Sequence, residues 1–180
     1  PMRVNSERGR TEYLLVGLVQ GPDGYLAYPM GKGSGSVTAF SGADGFITID
    51  QHTEILDAGS TVEVTLLGQQ IEPADLVIIG SHCVGLDLLV GKLIGRGVRT
   101  KLIMVGSMGG LAAAKRGECD IAGLHLMDPA TGEYNRHLLN DALALVTGYG
   151  RMQGFVFRRG DARFEGKSLD QAISTALGEA

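Results

Sequence analysis

From Tyr13 to Leu67 the chain alternates short apolar stretches with clusters of turn-forming residues. The stretches are "EYLLVGLV", "GYLAY", "GKGSGSVTAF", "FITI" and "STVEVTLL", and "GPDG", "SGADG" and "DAG" lie between them. Several short strands at such even spacing predict a small antiparallel barrel or sandwich. Pro22-Asp23-Gly24 and Ala43-Asp44-Gly45 have turn chemistry, because glycine accepts positive φ and aspartate bonds its own backbone. Gln69 to Asp75, "QQIEPAD", reads as a linker.

Beyond the linker the period changes. "DLVIIG" is a continuous apolar run of the kind a strand buried on both faces needs, and "SHCVGLDLLVGKLIGRG" follows it. Within that segment Val84, Leu88 and Leu89 share a helical face, with Gly95 and Gly97 as stops. "KLIMVG" repeats the strand, "SMGGLAAAKRG" the helix and "DIAGLHL" a third strand. The order β-α-β-α-β predicts a parallel sheet with right-handed crossovers. Helix is expected again around "YNRHLLNDALAL", a strand at "GFVFRR", and a last helix from Ser168, which has capping-box spacing to Gln171. The fold class expected is therefore mixed: a small antiparallel β-barrel domain over residues 1–70, then an α/β parallel-sheet domain over 74–180.

Composition narrows the partners. A net charge of -4 without runs of like charge gives no electrostatic footprint for nucleic acid or an anionic membrane surface. Hydrophobic residues make up 44%, enough for ordinary cores, yet no apolar run approaches the roughly 18 residues of a membrane span. Cys83 and Cys119 lack CxxC spacing, and "PMRVNSERGRTEY" lacks the apolar stretch of a secretory signal, which fits a reducing, cytoplasmic setting. With 28 glycines, the chain needs many turns or close backbone approaches.

One junction occurs twice: Gly80-Ser81 ends the first parallel strand and Gly106-Ser107 the second. In a parallel sheet both fall at one edge, where helix N-termini present unpaired N–H groups and the positive end of the dipole. Glycine lets a ligand approach the backbone, and a serine hydroxyl either donates to an oxyanion or caps the helix. One serine alone reads as an ordinary cap. Two at a ligand-binding edge raise the case for a shared anion site. Met108, Gly109 and Gly110 extend the second junction, and the glycines imply close approach of a ligand or close helix-to-strand packing.

His125 lies near the end of the third strand, with Asp128, Tyr134 and Asn135 in a loop that can close over the pocket. A structural histidine is the alternative, since no spacing fixes a base or metal partner. His82 and Cys83 lack the companions of a metal site, so no metal is expected. "VGSMG" misses the nucleophile elbow because Val105 stands where its first glycine belongs. "GKGSGS" misses the Walker pattern, which would need glycine at Leu26 and Ser or Thr at Gly33. It reads as a surface loop whose amides can still reach a phosphate.

"GRTEYLLVGL", "GSGSVTAFSGADGFITI" and "LDAGSTVEVTLL" resemble the C-terminal barrel domain of the molybdopterin molybdenumtransferases, the MoeA and gephyrin family. "DLVIIGSH", "GSMGGLAAAKRGECDIAGLHLMDPATGEYN" and "RMQGF" are similar to the periplasmic-binding-protein-like domain fused to that barrel in some prokaryotic members. The resemblance implies molybdenum cofactor biosynthesis, with molybdate, tungstate or a molybdopterin-type anion as ligand and no covalently bound cofactor. It also implies that the domains preceding the barrel are missing partners, so that the chain is not active alone, that the protein is a homodimer, and that the α/β region is a truncated single lobe. Ser34, Gly35 and Ser36 then face a substrate of those missing domains, and Arg151 is a candidate clamp for an oxyanion, or a surface ion-pair residue. The ligand set expected is Ser81, His82, Ser107, Met108, Gly109, His125, Tyr134, Asn135 and Arg151. The competing expectation is a structural or dimerisation module without a working site.

Overall fold

The computed structural model describes residues 1–31, 42–71, 73–146, 148–150, 154 and 156–178. They form two compact units, 1–145 and 146–180. The boundary expected at residues 70–74 lies inside the first of them.

The first unit is organised by β2 (Glu12–Gly21), which pairs antiparallel with β3 (Gly24–Pro29) on one side and β4 (Gly45–Ile49) on the other. Pro22 and Asp23 make the tight turn between β2 and β3, and Gly24 takes φ +130, where a side chain would be strained. Leu14, Val16 and Leu18 point to one face and pack with Val4, Ile47 and Ile49. Val19 points to the other face, and Gly17 lies against Ile103. The middle of β2 is thus buried on both sides, which is why "LLVGLV" is apolar without alternation.

The expected barrel is not closed among the described residues. The sheet order is β3-β2-β4-β6, with β6 only Thr65–Leu66, while β1 (Val4–Asn5) and β5 (Ile55–Leu56) form a separate two-stranded sheet. After β5 the chain makes a turn in which the Ser60 N–H donates to the Asp57 carbonyl, with Gly59 at φ +86, and residues 61–64 run on to β6 without regular structure. "STVEVTLL" consequently supplies only a two-residue strand. Asp44 is likewise not spent on its own turn, for its carboxylate accepts from the Leu18 N–H and from Lys101.

The α/β part matches its expected topology closely. β7 (Leu76–Gly80) runs parallel to β8 (Thr100–Met104), in register from Leu76 opposite Thr100 to Gly80 opposite Met104. The third strand is reduced to a short pairing on the far side of β7. Ile79 N–H donates to Ile121 at 3.0 Å, and Ser81 N–H donates to Gly123 at 2.9 Å. Helix α1 (Val84–Ile94) follows β7 and α2 (Gly106–Lys115) follows β8. In α1 the side chain that is buried is Val90, whereas Val84, Leu88 and Leu89 are exposed; the helix is turned relative to the sequence expectation.

A second core joins the antiparallel and parallel sheets: Val19, Tyr28, Ile79, Ile103 and Ala113 form one buried cluster. The helix expected around "YNRHLLNDALAL" is limited to a 3-10 turn at Arg136–Leu138. Asn135 takes a left-handed conformation (φ 64) immediately before it, which breaks the helical path.

In the second unit, α3 (Leu169–Leu177) has the expected capping box, with reciprocal bonds between Ser168 and Gln171, and ends at Gly178 in the left-handed region. Phe157 and Phe164 stack with ring centres 5.8 Å apart. Among the described residues of "GFVFRR" there is no strand.

Candidate functional site

Gly80-Ser81 and the start of α2 lie at the C-terminal ends of neighbouring parallel strands, as the repeated Gly-Ser junction predicts. Their capping roles differ from that expectation. The N-cap of α1 is Cys83, two residues beyond Ser81, and the N-cap of α2 is Val105, with Ser107 already inside the first turn. Neither helix has a side-chain hydrogen bond at its N-cap, and in α1 the Leu86 and Asp87 N–H groups donate to the Cys83 carbonyl at 2.9 and 3.2 Å.

Ser107 is buried and faces His125. Its Oγ lies 3.1 Å from His125 Nδ1 and accepts the His125 backbone N–H at 3.2 Å. A hydroxyl has one hydrogen and two lone pairs, so Ser107 Oγ accepts the backbone N–H and still pairs with Nδ1 in either tautomer of the ring. Ser107 therefore anchors His125 at two points, the ring Nδ1 and the backbone N–H.

The segment after His125 is a hairpin. Met127 and Tyr134 bridge antiparallel, and the Asp128 N–H donates to the Glu133 carbonyl at 2.8 Å. At the tip the Asp128 carboxylate accepts from Ala130 N–H and Thr131 Oγ1, and these bonds hold its carboxyl below the ordinary aspartate range. Asn135 pins the base of the hairpin: its Oδ1 accepts from Leu126 N–H at 2.8 Å and its Nδ2 donates to the Leu124 carbonyl at 3.3 Å. Ser107, His125, Tyr134 and Asn135 thus belong to one framework. His82 is engaged elsewhere, with its Nε2 2.8 Å from Asp87 of α1. Met108 is exposed in the first turn of α2, and Gly109 lies against Val105. Ser34, Gly35, Ser36 and Arg151 lie outside the described residues.

The glycine after Gly109 has a packing reason. A Cβ on Gly110 would come within 2.6 Å of the Gly80 Cα and the Ile79 carbonyl oxygen, so α2 crosses β7 backbone against backbone.

Residues 1–67 match the family model of the MoeA C-terminal region (domain IV), and residues 91–172 match that of the PBP superfamily domain. The chain joins a MoeA-family C-terminal region to a PBP-like domain. No curated protein and no solved structure gives a significant match. The MoeA-type match covers β1 to β6, and the PBP-like match holds β8, α2 and the hairpin, with Ser107, His125, Tyr134 and Asn135. Ser81 and His82 fall between the two matches.

Four residues that sequence reasoning did not single out for this purpose join the MoeA-type and PBP-like parts. Lys101 Nζ donates to the Asp44 carboxylate and, at 2.8 Å, to the Leu18 carbonyl. Tyr28 donates to Glu118, which Arg116 grips through two nitrogens at 2.6 and 2.7 Å. Burial acts to raise the Glu118 pKa, but the Arg116 and Tyr28 bonds outweigh it and the carboxyl stays below its usual range. Burial, and then the neighbouring carboxylate, push the Tyr28 hydroxyl well above the ordinary tyrosine value. Burial alone leads in raising the Cys119 thiol. The signal in the sequence was a tyrosine at the end of an apolar strand and a glutamate before a third one, which has meaning only once the sheets are stacked.

Among the described residues no group of three or more His, Cys, Asp or Glu side chains could hold a metal, and no helix is long and apolar enough to cross a membrane.

Proposed function

We propose that this chain is a non-catalytic ligand-binding module of molybdenum cofactor biosynthesis, and that the start of α2 with His125 receives a small oxyanion such as molybdate or tungstate, or the anionic part of a pterin ligand. The MoeA match supports the pathway and the PBP-like match supports a binding role. The observation that carries the site is the Ser107–His125 pair: a buried hydroxyl holds the imidazole through Nδ1 beside a helix start that has no side-chain cap bond. In this reading Ser107 is a positioning residue, His125 and the α2 amides are donors, and Asn135 holds the hairpin in place. Insertion of metal belongs to the domains that accompany a MoeA-type C-terminal region, which are its partners.

Calorimetry of the chain with molybdate, tungstate, sulfate and phosphate tests the proposal. Saturable binding that drops about tenfold in His125→Ala, and less in Ser107→Ala, supports it. Absence of heat at millimolar anion overturns it. A second reading, a structural module with no ligand, is favoured by the fact that both Ser107 bonds are internal. It predicts that Ser107→Ala lowers stability and leaves every titration flat.

A further inference from the structure

Among the described residues most open sheet edges are protected. β3 ends in Pro29, and β1, β5 and β6 are only two residues long. Prolines and very short strands are common means by which an edge avoids pairing with another chain. β8 is the exception. It runs for five residues in unbroken register with β7, without proline or bulge, and β7 is its only neighbour among the described strands.

The ladder fixes which groups of β8 are left over. Leu76 N–H donates to the Arg99 carbonyl at 3.2 Å, and Val105 N–H donates to the Gly80 carbonyl at 3.1 Å. Successive residues of a strand turn their N–H and C=O to opposite sides, so Arg99, Lys101, Ile103 and Val105 address β7 while Thr100, Leu102 and Met104 address the open side. These outward groups have no backbone partner among the described residues. A charged side chain often guards such an edge, and β8 has one in Lys101. Its ammonium is spent inward, on the Asp44 carboxylate and, at 2.8 Å, on the Leu18 carbonyl, which leaves the side chain only 15% exposed. Met104, at the end of the strand, is 58% exposed.

We propose that β8 pairs antiparallel with β8 of a second copy of this chain, about a two-fold axis at Leu102. The outward residues are placed symmetrically about Leu102, so each outward N–H meets an outward C=O, with Leu102 opposite itself and Thr100 opposite Met104 of the partner subunit. A two-fold axis brings like to like, and a charge at its centre would repel its own image. Leu102 is neutral and Lys101 is held by Asp44, so nothing in the strand opposes a second copy. Five residues a side fall well short of the roughly 20–30 of a stable interface, and the association is accordingly weak and concentration-dependent. The pairing uses neither Ser107 nor His125 and is independent of the proposed anion site.

Sedimentation of the full chain from about 10 µM to about 1 mM, the range of weak complexes, is the test, with amide hydrogen exchange at both ends of that range. A monomer–dimer equilibrium is expected. The Thr100, Leu102 and Met104 amides should slow at least about threefold as the dimer fills, while those of Lys101 and Ile103, bonded to β7, stay slow throughout. Met104→Lys should weaken the dimer about tenfold by setting a charge on the edge, and Thr100→Glu should do the same. Together the two substitutions place opposite charges across the axis and should bring association back to within about threefold of wild type, a rescue that general destabilisation would not give. The exchange measurement on wild type needs no variant and keeps the test decisive if a variant does not fold. A dimer whose outward amides exchange as in the monomer, single variants that associate like wild type, or a folded double variant no better than either single one overturns the proposal. So does a monomer at every concentration; protection of the Leu102 amide in that monomer would make a segment of the same chain the cover of the edge.

Discussion

Tyr28 on β3 donates its phenolic hydrogen to Glu118, 90 residues further along the chain, and both side chains are buried. The bond crosses from the MoeA-type sheet to the loop after α2, so the two regions share a polar link as well as the apolar cluster around Ile79. Tyr28→Phe removes the donor while Arg116 still holds Glu118. We expect a loss of about 1.5–3 kcal/mol, the usual range for a hydrogen bond to a charged group. Urea unfolding monitored separately over the antiparallel sheet and over β7 and β8, by hydrogen exchange, should show both melting together in wild type.

The same network sets a pH response with two limbs. Glu118 has a folded pKa below its unfolded value, so its contribution is present above the ordinary glutamate range and is lost as acid protonates the folded carboxyl. Tyr28 has a folded pKa above its unfolded value, so its contribution is present below about pH 10 and is lost as pH rises and the unfolded phenol ionises. Denaturation midpoints measured from pH 3 to 11 should fall at both ends. In Tyr28→Phe the alkaline limb should flatten while the acid limb persists.

Two helical glycines should respond oppositely to alanine. Gly91 in α1 has no atom within 4 Å of the added carbon, so Gly91→Ala should stabilise by about 0.5–1 kcal/mol through helix propensity. Gly110→Ala drives its methyl into the backbone of Ile79 and Gly80, and a destabilisation of about 1–3 kcal/mol or more is expected. Thermal unfolding of the pair of variants checks both signs at once.

Asn135 combines a left-handed backbone with two side-chain bonds to its own hairpin. Asn135→Gly keeps the backbone conformation and loses the bonds, whereas Asn135→Ala loses both. Alanine should therefore be the more harmful by about 1 kcal/mol. If His125 works as proposed, both variants should also weaken anion binding through the hairpin that carries it.

In the second unit, Ser168→Ala removes one partner of the capping box. Helicity of α3 should decline, with a loss of about 1 kcal/mol in that unit and no change in the unfolding of the first.

The alternation of strand and helix after Asp75 was legible because buried parallel strands are continuous apolar runs, and "DLVIIG" and "KLIMVG" have few other readings. The Gly-Ser junctions were placed at the right edge but given the wrong local job. Cap geometry depends on where the backbone first turns helical, and Cys83 and Val105 occupy those positions. The exposed face of α1 was misread because Leu86, Val90 and Leu93 are as apolar as Val84 and Leu88, so periodicity alone does not choose a side. Among the described residues the barrel is not closed, because strand length depends on partners, β6 is only two residues long and Asp57 to Ser60 form a turn instead. The links through Asp44, Lys101, Tyr28 and Glu118 join positions far apart in sequence, and no local pattern announces them.

At Gly80 three stretches of main chain meet. Side-chain carbons built on Gly80 or Gly110 would strike neighbouring backbone within 2.6 Å, and one on Gly123 would strike it at 2.8 Å. Nothing there can yield by rotating about a χ angle. A push on the first turn of α2 has to move β7 and the third strand with it, so the start of the helix behaves as a lever fixed to the sheet rather than as a hinged flap.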